Sequence, residues 1–60
     1  MEKFKILVDI AESYNTGADS HWYFAADMAA SAVGKALDLA GLTLNESLTI
    51  TQKIEYLKCL

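Results

Sequence analysis

Apolar residues recur along this chain at helical intervals, and three segments carry the pattern. In the first, Phe4, Leu7, Val8, Ala11 and Tyr14 share one helix face with Ile6 and Ile10 at its margin, while Lys5, Asp9, Glu12 and Ser13 gather opposite. A strand is the competing reading, because Phe4, Ile6, Val8 and Ile10 also alternate, but it leaves Leu7 on the polar side. The helix accounts for more residues and sets Lys5 and Asp9 one turn apart as a weak supporting pair. It is placed at residues 2–14.

The second segment runs from His21 to Ala40 and is predicted as a helix over residues 20–40. On a helix, Ala25, Ala29, Ala32 and Ala36 fall on one narrow line, an alanine seam. Trp22, Ala26, Val33 and Leu37 flank it on one side, Met28 and Leu39 on the other, and Asp27, Ser31, Lys35 and Asp38 occupy the far face. Side chains this short let a second backbone approach to the short end of the about 8–10 Å range of interhelical distances. Asn15 to Ser20 is the clear loop before this helix, with Gly17 suited to ending the first helix and Asp19 or Ser20 to capping the second. Gly34 lies on the polar face within it. Gly41 is the expected terminus, with Leu42 placed for the apolar contact that follows a glycine cap.

The third segment, placed at residues 44–59, is less regular. Thr43 and Glu46 fit a capping box. Ile50, Ile54 and Leu57 make one stripe, however, and Leu44 and Leu48 lie off it, so one straight helix has difficulty burying both sets. Thr49 and Gln52 fit a second capping box, which would break the segment near Thr49. A further alternative makes 42–44 and 48–50 a hairpin paired with a strand at 4–10. The preferred fold is therefore all-α, a small three-helix domain formed from a helical hairpin plus an N-terminal helix, with α+β as the alternative.

Length changes what this pattern means. Sixty residues form a single domain that buries only about 60% of its unfolded surface, so chains of this size often lean on a disulfide, a metal or another subunit. The lone Cys59 removes an internal disulfide, and the lone His21 argues against structural zinc. A 53% apolar composition is high for so small a chain, which points to a shared surface. The expectation is a homodimer built through the second helix, with Ala25, Ala29, Ala32, Ala36, Val33, Leu37 and Met28 at the interface, since a two-fold contact uses one patch twice.

Charge narrows the partners. The formal net charge is −3, and the lysines are scattered with no arginine among them, whereas phosphate binding needs a concentrated positive face. Nucleic acid is therefore disfavoured. Asp27, Lys35 and Asp38 would be costly inside a bilayer, and no signal peptide or lipidation motif is evident, so no membrane is expected and the cytoplasm is the expected compartment.

Candidate chemistry is sparse. Asp19, Ser20 and His21 supply the residue types of a triad without the geometry that adjacency cannot give. Asp27 and Asp38 are about 16 Å apart by helical rise and cannot share an ion. Cys59 lacks a redox partner. No catalytic residue, cofactor or metal is expected. The distinctive cluster is His21, Trp22, Tyr23 and Phe24. Successive helical residues point about 100° apart, so three rings cannot all enter one core, and at least one faces a partner or solvent.

The stretch Ala40-Gly41-Leu42-Thr43 resembles the turn of helix-turn-helix DNA-binding motifs. That resemblance implies a recognition helix beginning at Leu44, with Asn45 and Ser47 toward the bases and no basic residue before Lys53. The preferred expectation is a small acidic protein–protein interaction module, a regulator or inhibitor of a larger protein. The alternative is a small DNA-binding regulator.

Overall fold

The structure, a computed structural model, describes residues 2–60, all of them in helices, turns or loops. The order is α1 (Glu2–Asn15), α2 (Ala25–Ala40) and α3 (Ile50–Lys58). No strand occurs among the described residues, so the helical reading of residues 4–10 holds and the α+β alternative is overturned. Its physical weakness was Leu7, which a helix half-buries beside Val8 and a strand would have turned outward.

α1 and α2 form an antiparallel hairpin. Lys3, Ile6 and Leu7 at the start of α1 lie beside Lys35, Asp38 and Leu39 at the end of α2, and Tyr14 meets Phe24 at the other end. The seam is what lets them approach: Ala25, Ala29, Ala32 and Ala36 are 5, 0, 5 and 0% exposed in the single chain. α3 then runs back along one side, tied to α1 by Asn15 Nδ2 donating to Thr51 Oγ1 at 2.9 Å and by Lys58 Nζ on Glu12 Oε2 at 2.6 Å. Ile54 and Leu57 press into the angle between Val8, Ala11, Ala32, Val33 and Ala36, with Phe4, Leu7, Leu37 and Ile50 packed around them.

The seam's neighbour is thus α1 of the same chain. Of the residues expected at a dimer interface, Ala25, Ala29, Ala32, Ala36 and Val33 are buried within the single chain and Leu37 is half-buried against the core; Met28 is exposed. A close-packing surface needs one close neighbour, and the hairpin supplies it at a loop-closure cost that grows only slowly with length.

Both connections differ from expectation. Residues 16–24 are a run of turns and α2 begins at Ala25, later than residue 20. Asp19 does not cap α2: its Oδ2 accepts from Ser13 Oγ at 2.8 Å, and Ser20 Oγ donates to the Gly17 carbonyl at 2.8 Å. These short polar side chains satisfied backbone and neighbours locally, the competition that favours turns over helix. Gly17 is required for close approach, since a Cβ there would stand 2.9 Å from Ser13 Cα.

At the far end Gly41 takes φ 68°, and its amide and that of Leu42 donate back to α2 carbonyls, closing the helix as the glycine cap predicts. The third helix does not start at Leu44. Residues 42–49 are a loop in which Asn45 Oδ1 accepts from the Ser47 amide at 2.8 Å, and the box at Thr43 and Glu46 does not form. Thr49 and Gln52 form theirs instead, the Gln52 amide donating to Thr49 Oγ1 at 3.1 Å and the Thr49 amide to Gln52 Oε1 at 2.8 Å. The break lets Leu44 and Leu48 be half-buried from the loop while Ile54 and Leu57 enter the core from the helix.

Candidate functional site

The turn that reverses the chain between α1 and α2 presents the aromatic cluster. The chain is pinned there by consecutive backbone bonds, Ser20 amide to Gly17 carbonyl, Trp22 to Asp19 and Ala25 to Trp22. His21 Nδ1 lies 2.9 Å from the carbonyl oxygen of Ala18, which can only accept, so this bond uses the Nδ1–H form of the ring.

The side chains stack in sequence. His21 lies 5.0 Å from Trp22 between ring centroids, Trp22 stacks on Phe24 at 5.7 Å, and Phe24 meets Tyr14 of α1 at 6.1 Å. Tyr23 stands edge-on to Phe24 at 5.3 Å. Offset and edge-to-face pairs of this kind contribute about 0.5–1.5 kcal/mol each beyond burial, enough to hold a short turn in one shape. Phe24, half-buried, is the hub that joins the ladder to the hairpin, while Trp22 is 48% and Tyr23 97% exposed.

The four residues singled out as a recognition patch are therefore together, on a turn rather than on a helix. The expectation that at least one ring faces outward is met by Tyr23. A ring almost wholly in water adds nothing to this chain's own core, so its position is set by the backbone turn and by one edge contact.

Other candidate groups are dispersed. Asp19, Ser20 and His21 each bond a different neighbour, Ser13, Gly17 and Ala18 in turn, and make no Ser–His–Asp chain. Among the described residues no group of three His, Cys, Asp or Glu side chains converges on a metal-sized site. Cys59 is exposed. Lys58 is raised above its ordinary value of 10.5, first by its hydrogen bond to Glu12 and then by the charge of Glu12. Among the described residues no helix is long and apolar enough to cross a membrane.

The helix-turn-helix resemblance loses its geometry. That motif joins its helices by a turn of about 3–4 residues, whereas residues 41–49 separate α2 from α3 here, and Asn45 is engaged with Ser47 in the loop.

The sequence pattern puts Ile6 and Ile10 at the margin of the first helix with no role, and Leu39 on the flank of the alanine seam. All three are exposed in the structure, at 50, 36 and 44%. The signal was available: on both helices the apolar arc is wider than contact with a single neighbour uses.

Protein-family models, curated proteins and solved structures give no match to this chain.

Proposed function

We propose that this chain is a non-catalytic protein-binding module of the cytoplasm, a homodimer that regulates or inhibits a larger protein by docking His21, Trp22, Tyr23 and Phe24 into it. The observation that carries the reading is Tyr23, 97% exposed at the tip of a ring ladder whose base is anchored on Tyr14. Tryptophan and tyrosine dominate the energetic centres of protein interfaces because they bury a large area at little loss of rotational freedom. Here the turn is already hydrogen-bonded in one shape, so little ordering is left for the encounter. A net charge of −3 favours a partner with a basic surface. A lone exposed cysteine suits a reducing compartment.

The test is capture from native lysate with the wild type, Tyr23→Ala and Trp22→Ala. Tyr23→Ala removes a ring that packs on the rest of the fold only by one edge, so helicity and thermal midpoint are expected to stay at the wild-type values. A specific partner should be retained by the wild type and its affinity reduced by about 30-fold or more in the variant, the loss typical of an interface centre. Equal capture by both proteins overturns the reading. Steeply salt-dependent binding to mixed-sequence duplex would replace the protein partner with nucleic acid.

A further inference from the structure

The side of the hairpin away from α3 carries an open groove of about 460 Å³ whose apolar floor is Ile6, Leu7 and Leu39 and whose rim is Lys3, Lys35 and Asp38. Ile10, one turn beyond Ile6, and Met28, three turns before Leu39, continue the apolar line toward the aromatic turn. The rim charges are not spent inside the chain: among the described residues the ion pair formed is Glu12 with Lys58, and Lys35 and Asp38, though one turn apart on α2, do not pair.

We propose that a second copy of this chain occupies this face, in a two-fold arrangement that sets Lys35 of each copy against Asp38 of the other. The proposal rests on the homodimer reading above and gives it a surface other than the alanine seam. An antiparallel pairing of two α2 helices centred between residues 36 and 37 places position 35 opposite position 38 twice, once on each side of the axis. Both signs on one patch at that spacing make the rim complementary to its own copy, which is what an isologous contact requires.

Size and shape agree with that occupant. Ile6, Ile10 and Leu39, at 50, 36 and 44% exposed, together leave roughly 230 Å² of side chain for this pairing to cover, while Met28 falls opposite position 45, past the end of the other α2. A polar rim in the usual proportion brings the buried surface to roughly 400 Å² per copy, about 800 Å² in all, the size of a weak or transient contact. The chain is a slab of 30 × 27 × 16 Å. Stacking two copies on this face places each hairpin between its own α3 and its neighbour.

Sedimentation equilibrium tests the pairing with the wild type, Lys35→Asp, Asp38→Lys, their equimolar mixture and the double exchange. Both positions are exposed, so circular dichroism should report unchanged folds. The wild type should fit a monomer–dimer equilibrium, and each single variant should lose at least about tenfold in association, because like charges then face each other at both sites. The mixture of the two singles and the double exchange should each recover dimer. If the wild type associates but the singles are unaffected, or their mixture fails to recover, this surface is wrong and a homodimer by another face stands. A wild type that stays monomeric at about 1 mM overturns this surface and the homodimer together, leaving the Tyr23 capture experiment as the separate test of partner binding.

Discussion

The two sides of the α1–α2 hairpin start from the same material and end differently. On one, Val8, Ala11, Val33 and Ala36 are sealed by Ile54 and Leu57 of α3. On the other, Ile6, Ile10, Met28 and Leu39 keep between a third and a half of their surface in water. Both helices have an apolar arc broad enough for two neighbours, and one short helix of nine residues is left to cover them. The width of an apolar arc therefore counts the surfaces a helix must cover. It does not say which of them the same chain covers.

The contrast predicts that equal truncations have unequal costs. Leu57 is 1% exposed and, among the described residues, the largest side chain wholly buried, so Leu57→Ala should remove about 2–5 kcal/mol in urea unfolding followed by circular dichroism, a large part of what a chain this small possesses. A loss under about 1 kcal/mol would mean that α3 is not what closes the covered side. Between the sides lies the seam. Ala29 has no exposed surface, and Ala29→Leu should force α1 from α2 and destabilise by about 1–3 kcal/mol at every protein concentration. A cost that vanishes on dilution to monomer would instead return the seam to an interface between copies.

On the bare side Ile6→Ala should change monomer stability by no more than about 0.5 kcal/mol, since half of the side chain is already in water and alanine is the better helix former. The same variant should weaken self-association. An Ile6→Ala cost as large as that of Leu57→Ala would erase the difference between the two sides. The smallest effect concerns the pin that holds α3 in place. Lys58 has a raised value through Glu12, so the folded chain holds this proton more tightly than the unfolded one. The stabilisation is then present at neutral pH and lost as pH climbs past the ordinary lysine range. The stability gap between wild type and Glu12→Gln should stay level from about pH 7 to about pH 10 and narrow above the ordinary lysine range; a gap that stays constant there would detach Glu12 from the docking of α3.

Much of this was legible in the residue pattern, and what was missed has specific causes. α1 could be placed because Phe4, Val8, Ala11 and their neighbours repeat at helical spacing across its length, and the end of α2 because Gly41 supplies a left-handed residue where the apolar run stops. The choice between the two capping boxes depended on tertiary burial. Thr43 with Glu46 is as good locally as Thr49 with Gln52, but only the second leaves Leu44 and Leu48 free to be covered from a loop. The start of α2 was set too early because Asp19 and Ser20, good caps in isolation, bond back to Ser13 and Gly17. The seam is legible in the spacing and its neighbour is not, since spacing states how close a helix can come and not which chain it belongs to. The aromatic cluster is legible as four consecutive ring residues, while its form as a stacked turn depends on the backbone bonds around Gly17.

The hydrogen bonds that wind residues 16–24 into successive turns also bear on how the chain reaches this structure. They bring α1 to α2 along a short path, and the contacts between these neighbouring helices outnumber those that either makes with α3. A topology dominated by such near-sequence contacts has low contact order and folds in microseconds to milliseconds. Trp22, stacked on Phe24 inside the turn, is placed to report the closing of the hairpin, and temperature-jump fluorescence should show that phase at least as fast as the helical signal of α3. On the proposed reading, the stretch that carries the recognition rings is then expected to close early, ahead of the fold behind it.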